Sequence, residues 1–170
     1  MIYIYNDYGG THTTSLAAAY HLKQLPQTER TLTTEEILNV KYFNQLTKKD
    51  FGKLIFHGND DDGNAVYTIG RKRNQLVVPA LKEMTLLLQK KFHFDEKIVF
   101  SNTSPTVPIV MSLGGFFSRG LKIDFIGVPL LVKGAKQCCD NIYKLVEHTK
   151  QIGQTSFNEN IIILENEMFK

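Results

Sequence analysis

A short β-prone run that breaks at two glycines and reopens as an alanine-rich helix does most to limit what this chain can fold into. Met1-Ile2-Tyr3-Ile4-Tyr5 is apolar and rich in β-branched and aromatic residues, so it reads as a strand. Asn6-Asp7-Tyr8-Gly9-Gly10 supplies turn formers, and Leu16 to Leu22 carries an alanine run that favours helix. Thr11 or Thr13 stands where a side-chain oxygen caps a first helical turn. A strand, a tight turn and a helix in that order open an α/β unit.

The remaining chain repeats the alternation. Strands are expected over Lys53–Gly58, Ala65–Gly70, Lys97–Ser101 and Lys122–Gly127, the first two forming a hairpin about the Asn59–Asn64 turn. Thr33 and Glu36 match a capping box. Gln75–Lys91 carries Val77, Ala80, Leu81, Met84, Leu87 and Leu88 at helical spacing. A further helix is expected to present Ile109, Val110, Leu113, Phe116 and Phe117, its Gly114-Gly115 pair either weakening it or allowing close packing, and the last helix to run over Gly134–Lys150. Ile161–Leu164 fits either an edge strand or a helix end. The expected fold is a three-layer α/β sandwich with a mainly parallel sheet, P-loop-like or Rossmann-like, with an inserted hairpin. Residues 1–150 form its single domain, followed by a 151–170 extension.

Composition narrows the function. At 170 residues, with 42% hydrophobic and 22% charged, the chain is apolar enough for one packed core. A formal charge of +3 argues against a dedicated nucleic-acid binder. No run of eighteen apolar residues marks a membrane span, and no basic segment precedes the first strand as in a cleaved signal peptide. The adjacent Cys138 and Cys139 suit a reducing, cytoplasmic compartment and read as core residues.

The chemistry-bearing segment is the first strand–helix loop. Ligands of open α/β sheets gather at the carboxyl ends of strands, and a helix start offers free amides to an anion. Gly9, Gly10, Thr11, Thr13 and Thr14 are therefore expected to hold a phosphate-bearing small molecule, with Asn102, Arg71 and Lys133 as further contacts. The loop lacks GxxxxGK[ST] and GxGxxG, so it departs from nucleotide and dinucleotide fingerprints and names no cofactor. In a hydrolase or transferase, His12 is expected to act as a neutral base or transition-state donor, with Asp7 orienting it or holding a cation. A parallel second strand would bring His57 and the Asp60-Asp61-Asp62 turn to the same edge. The histidines are too scattered for a metal site. The alternative reading is a non-enzymatic regulatory or interaction module, whose mark is a closed loop together with an exposed apolar patch.

Ile4-Tyr5-Asn6-Asp7-Tyr8-Gly9-Gly10-Thr11-His12-Thr13-Thr14, Gly58-Asn59-Asp60 with Val66 to Arg71, Ser101-Asn102, and Gly114 to Arg119 with Pro129 to Gly134 carry a resemblance. Over about residues 1–150 the chain resembles an uncharacterised domain-of-unknown-function family of Firmicutes, many of them spore formers. The resemblance implies a small bacterial cytosolic protein and assigns no residue a role.

Overall fold

Strand β1 (Ile2–Asp7) is the middle of a five-stranded sheet of order β2-β3-β1-β4-β5, in a computed structural model that describes residues 1–155 and 159–170. The other strands are β2 (Ile55–Asn59), β3 (Ala65–Gly70), β4 (Ile98–Asn102) and β5 (Ile161–Leu164). β1 pairs in parallel with β3 and β4, and β4 with β5. Only β2 runs antiparallel, as the hairpin partner of β3, with a register shift between Phe56 and Gly58. Ile161–Leu164 is thus an edge strand, and the segment after residue 150 completes the sheet.

Alternation along β1 assigns its two faces. Tyr5 packs with α1 (Thr13–His21) and α5 (Asp124–Thr155), around Leu16, Tyr20, Ile142 and Leu145. Ile4 faces the other way, with Ile69, Phe100 and Val78 of α3 (Val77–Phe92). Helices therefore cover both faces, as expected of a sheet of near-continuous apolar strands. The Thr33–Glu36 capping box is formed in both directions at the start of α2 (Thr34–Leu38).

Three expectations are corrected. Lys122–Gly127 is not a strand: α5 begins at Asp124 and runs 32 residues, with Pro129 inside its second turn. A short apolar run has no period that separates strand from buried helix. Here its neighbour decides, because Gly127 packs directly under Ser118. The expected apolar faces of two helices are only partly buried: in α3, Val77 and Leu81 pack on the core as expected. α4 (Ile109–Gly115) and the π-helical turn Phe116–Gly120 that extends it bury Met111, Gly114 and Ser118, leaving Ile109 and Phe116 outward. α3 buries Val78 and Gln89, while Met84 and Leu87 face outward. Glycines opposite large residues make the α4–α5 seam. A Cβ added at Gly114 would lie 2.7 Å from the Leu131 nitrogen, and one at Gly134 would lie 2.6 Å from the Met111 Cβ. Among the described residues no helix is long and apolar enough to cross a membrane.

The seam yields a measurable contrast. In Gly127→Ala the new Cβ would sit 2.6 Å from the Ser118 nitrogen and Cβ. Such overpacking against backbone is expected to cost about 1–3 kcal/mol in urea denaturation. Gly115→Ala, whose Cβ meets nothing closer than the His12 ring at 3.4 Å, is expected to be neutral or stabilising.

Candidate functional site

The carboxyl ends of β1, β3 and β4 lie side by side, and chain connections leave β1 and β4 in opposite directions, to β3 and to β5. This is the place where open α/β sheets form a crevice. Asp7 ends β1 there with its carboxylate buried. It accepts from the Gly10 amide and from the Thr13 hydroxyl at 2.9 Å. The Thr13 hydroxyl also lies 2.9 Å from that of Thr103, which follows β4. One carboxylate thus ties β1, the loop and the start of α1 to the end of β4.

The glycine pair serves a close approach. Gly10 has φ +70, and a Cβ on it would come within 2.5 Å of the Gly70 nitrogen at the end of β3. A Cβ on Gly70 would meet the Gly9 carbonyl oxygen at 2.6 Å. Side chains at either place would part the loop from the sheet. The Thr11 hydroxyl donates to the Tyr42 carbonyl at 2.6 Å, so it anchors a neighbouring loop.

The helix start is buried but uncapped. His12 is its N-cap residue and its side chain makes no capping bond. Thr13 does not cap, because its hydroxyl is committed to Asp7 and Thr103. Thr13, Thr14 and Ser15 have no exposed surface, and the hydroxyls of Thr14 and Ser15 have no partner among the described residues. The first intrahelical bond is that of the Leu16 amide to the His12 carbonyl at 3.0 Å. The amides of the turn before it have no protein acceptor among the described residues.

His12 is not held by Asp7. Its Nε2 lies 3.2 Å from Oδ1 of Asn44, and its ring meets the edge of Phe43 at 5.6 Å. Asn44 sits in the loop after α2 in the left-handed region, φ +53, with its amide bonded to the Thr11 carbonyl at 3.1 Å. The same Oδ1 accepts from Arg119 Nε at 2.7 Å. Its Nδ2 donates to Ser118 Oγ at 2.9 Å, and Ser118 donates to Asp124. Together Asn44 and the π-helical turn roof the loop. Asn44, Ser118 and Asp124 carry no sequence signal: the first lies in an irregular stretch, and the last two fall in segments that read as a helix end and a strand.

The other expected residues divide. Arg71 reaches the site, with Nε on Asn6 Oδ1 at 2.9 Å and its amide on the Asp7 carbonyl at 2.9 Å. Its charge acts on Asp7, and that of Arg119 on His12. The Nη atoms of both arginines have no partner among the described residues. Asn102 is at the edge but spent, donating to Glu165 at 2.8 Å and accepting from the Ser104 amide at 3.0 Å. Lys133 does not open a helix and does not join the site. It lies exposed within α5, beside Leu38 and Pro129. Because β2 is antiparallel, the Asp60 turn falls at the opposite edge, where Asp60 takes His21 Nε2 at 3.1 Å. His57 is buried against Thr68 at 3.1 Å and the Tyr42 ring. Among the described residues no group of three His, Cys, Asp or Glu side chains is placed to hold a metal ion.

A family model described as "Protein of unknown function (DUF3189)" matches residues 2–151, and the chain belongs to that family. No curated protein and no solved structure matches it.

Burial sets the protonation of the site. It pulls His12, His21 and His57 down from 6.5 to about 4, Arg119 adding to the effect at His12 and the Asn44 hydrogen bond opposing it. Burial raises the Asp7 carboxyl against the pull of the Gly10 and Thr13 bonds. The two effects have opposite signs. Below pH 6.5 the unfolded chain binds protons that the three folded imidazoles refuse until about pH 4, so their contribution is lost as pH falls through that window. Asp7 keeps a proton that the unfolded chain releases, so its contribution falls as pH rises above the usual carboxylate range. Three imidazoles outweigh one carboxyl: the urea midpoint is expected to drop from pH 7.5 to pH 5, each histidine accounting for roughly 2 kcal/mol of lost stability. His57→Gln is expected to flatten the slope by about a third of its size.

Proposed function

We propose that this member of the DUF3189 family binds a phosphate-bearing small molecule at the carboxyl edge of β1 and β4, with His12 as proton acceptor in a hydrolase or transferase reaction. The observation that carries the reading is the start of α1: a buried helix end whose amides and two hydroxyls lack acceptors and donors. Such an end is ordinarily satisfied by a cap, water or ligand. The unused Nη atoms of Arg71 and Arg119 supply the forked donors that phosphate oxygens take in pairs. The arrangement is P-loop-like in its strand–loop–helix order. It departs from the dinucleotide-binding order, since β3 rather than β2 neighbours β1.

The ligand does not take the Gly10 amide, which Asp7 occupies. It takes the turn from Thr11 onward, with Thr14 and Ser15 turning their hydroxyls to it. Because residues 13–15 have no exposed surface, the Phe116–Gly120 turn lifts for entry.

A second reading rests on a separate observation. The outer side of the roof carries Ile109, 82% exposed, and Phe125, 81% exposed, together with Leu113 and Phe116. An apolar patch of this kind suits a protein partner and needs no ligand in the loop.

Phosphate titration followed by amide NMR shifts separates the two. The first reading expects saturable shifts at residues 9–15, weakened about tenfold or more in Arg71→Ala and in Arg119→Ala, as for charge-assisted hydrogen bonds. An absence of shifts there leaves the partner-binding reading. With a substrate in hand, His12→Ala is expected to cost roughly 10²-fold in rate with folding retained.

A further inference from the structure

We infer that Asn44 is the positioning residue of this site: one side-chain amide fixes His12 and Arg119 together and leaves Nδ1 of His12 as the atom that meets the ligand. The hydrogen-bond directions in the cluster follow from its two ends, and although Ser118 Oγ also lies 3.3 Å from Asn44 Oδ1, its single proton goes to the closer Asp124 carboxylate. Arg119 Nε is a donor and nothing else, so the Asn44 atom facing it at 2.7 Å is the carbonyl oxygen. At the other end Ser118 gives its single hydroxyl proton to the Asp124 carboxylate, so its lone pair takes the Asn44 NH2 at 2.9 Å. Both ends therefore assign the same orientation to the Asn44 amide. The nitrogen of His12 that lies 3.2 Å from that oxygen must then carry the ring proton, because an unprotonated Nε2 would set two lone pairs against each other.

It follows that Nδ1 holds the free lone pair. No residue among those described donates to it, and a Cβ added at Gly115 would stay 3.8 Å away. An acceptor beside Arg119, which shares the Asn44 oxygen with His12, selects a ligand that carries an O–H next to its anionic group: a water, or a hydroxyl of an organic phosphate. This last step rests on the reading of the site as an anion site, whereas the assignment of Asn44 does not. Asparagine is suited to the task, since its position needs φ +53 and few other residues accept that region.

Long-range proton–nitrogen NMR of protein carrying nitrogen-15 in histidine and arginine tests the inference in wild type, Asn44→Gly and Asn44→Asp at neutral pH. Glycine keeps the left-handed backbone without the amide. Aspartate keeps an acceptor for both His12 and Arg119. Wild type is expected to show His12 protonated on Nε2 alone and a slowly exchanging Arg119 Nε–H. Asn44→Gly is expected to speed that exchange at least tenfold and to admit the second tautomer, and Asn44→Asp to restore the protection. A His12 protonated on Nδ1 in wild type overturns the inference. So does an Asn44→Gly protein, folded by its amide spectrum, in which both signals stay as in wild type. Inorganic phosphate added to the same wild-type sample distinguishes the two ideas. If loop amides stay unshifted while the tautomer is as assigned, the anion reading falls and the Asn44 assignment stands. If phosphate binds and Asn44→Gly binds it equally well, the positioning role is overturned.

Discussion

A carboxylate buried where carboxylates are costly holds the β1–β4 edge of this protein together. Asp7 ends the central strand, takes the Gly10 amide and the Thr13 hydroxyl, and through Thr13 reaches Thr103 beyond the next strand. Burying a charge without partners costs several kcal/mol, so these bonds are the condition on which the residue is tolerated. They also settle what the loop is. A turn that satisfies an internal carboxylate is drawn tightly over the sheet, and the two glycines let it lie on the end of β3. Remove the carboxylate and the loop loses the acceptor that organises it. The neighbouring amides of α1, left without acceptors by the same geometry, are what makes the edge a binding candidate.

The fold was largely legible because its signals were local. β1, its turn, the Thr33–Glu36 cap and the β2–β3 hairpin each carry their own chemistry within a few residues. The failures share a cause. Lys122–Gly127 looks like a strand alone, but Gly127 fits beneath Ser118 only as part of a helix. Gly114 and Ser118 are poor markers of a buried face by size, yet their smallness is what lets α4 and the turn after it reach α5, with Met111 packed against Gly134. In the candidate site, Asp7, Gly10, Thr13 and His12 stand out in one strand–loop–helix pattern, and Arg71 by its place just after the Ile69-Gly70 strand end. The expected pairing of Asp7 with His12 was an inference from proximity in sequence, and the ring turns instead to a residue 32 positions away. Asn44 belongs to no periodic element, so nothing in its surroundings distinguishes it before the chain is folded.

The roof and the loop depend on each other through polar contacts, while the roof and α5 depend on each other through the absence of side chains. A seam built on Gly114, Gly127 and Gly134 brings backbone against backbone, and such contact admits little sliding. The roof–loop contact, by contrast, is carried by Asn44, Ser118 and Arg119, whose bonds water can replace. Opening at the polar contact is therefore the cheaper of the two motions.

The sheet's second face has a different consequence. α1 and α5 bury long stretches against one side, whereas α3 alone serves the other, with Val78 and Gln89 its only buried residues and Met84, Leu87 and Phe92 turned to solvent. The two sides thus belong to different ranks of local stability. Hydrogen exchange in α3 proceeds through its own detachment, a small event that spares the strands, while amides in α1 and the centre of α5 wait for the whole chain to unfold. Detachment of α3 uncovers Ile4, Ile69 and Phe100, an apolar surface of the kind on which chains associate.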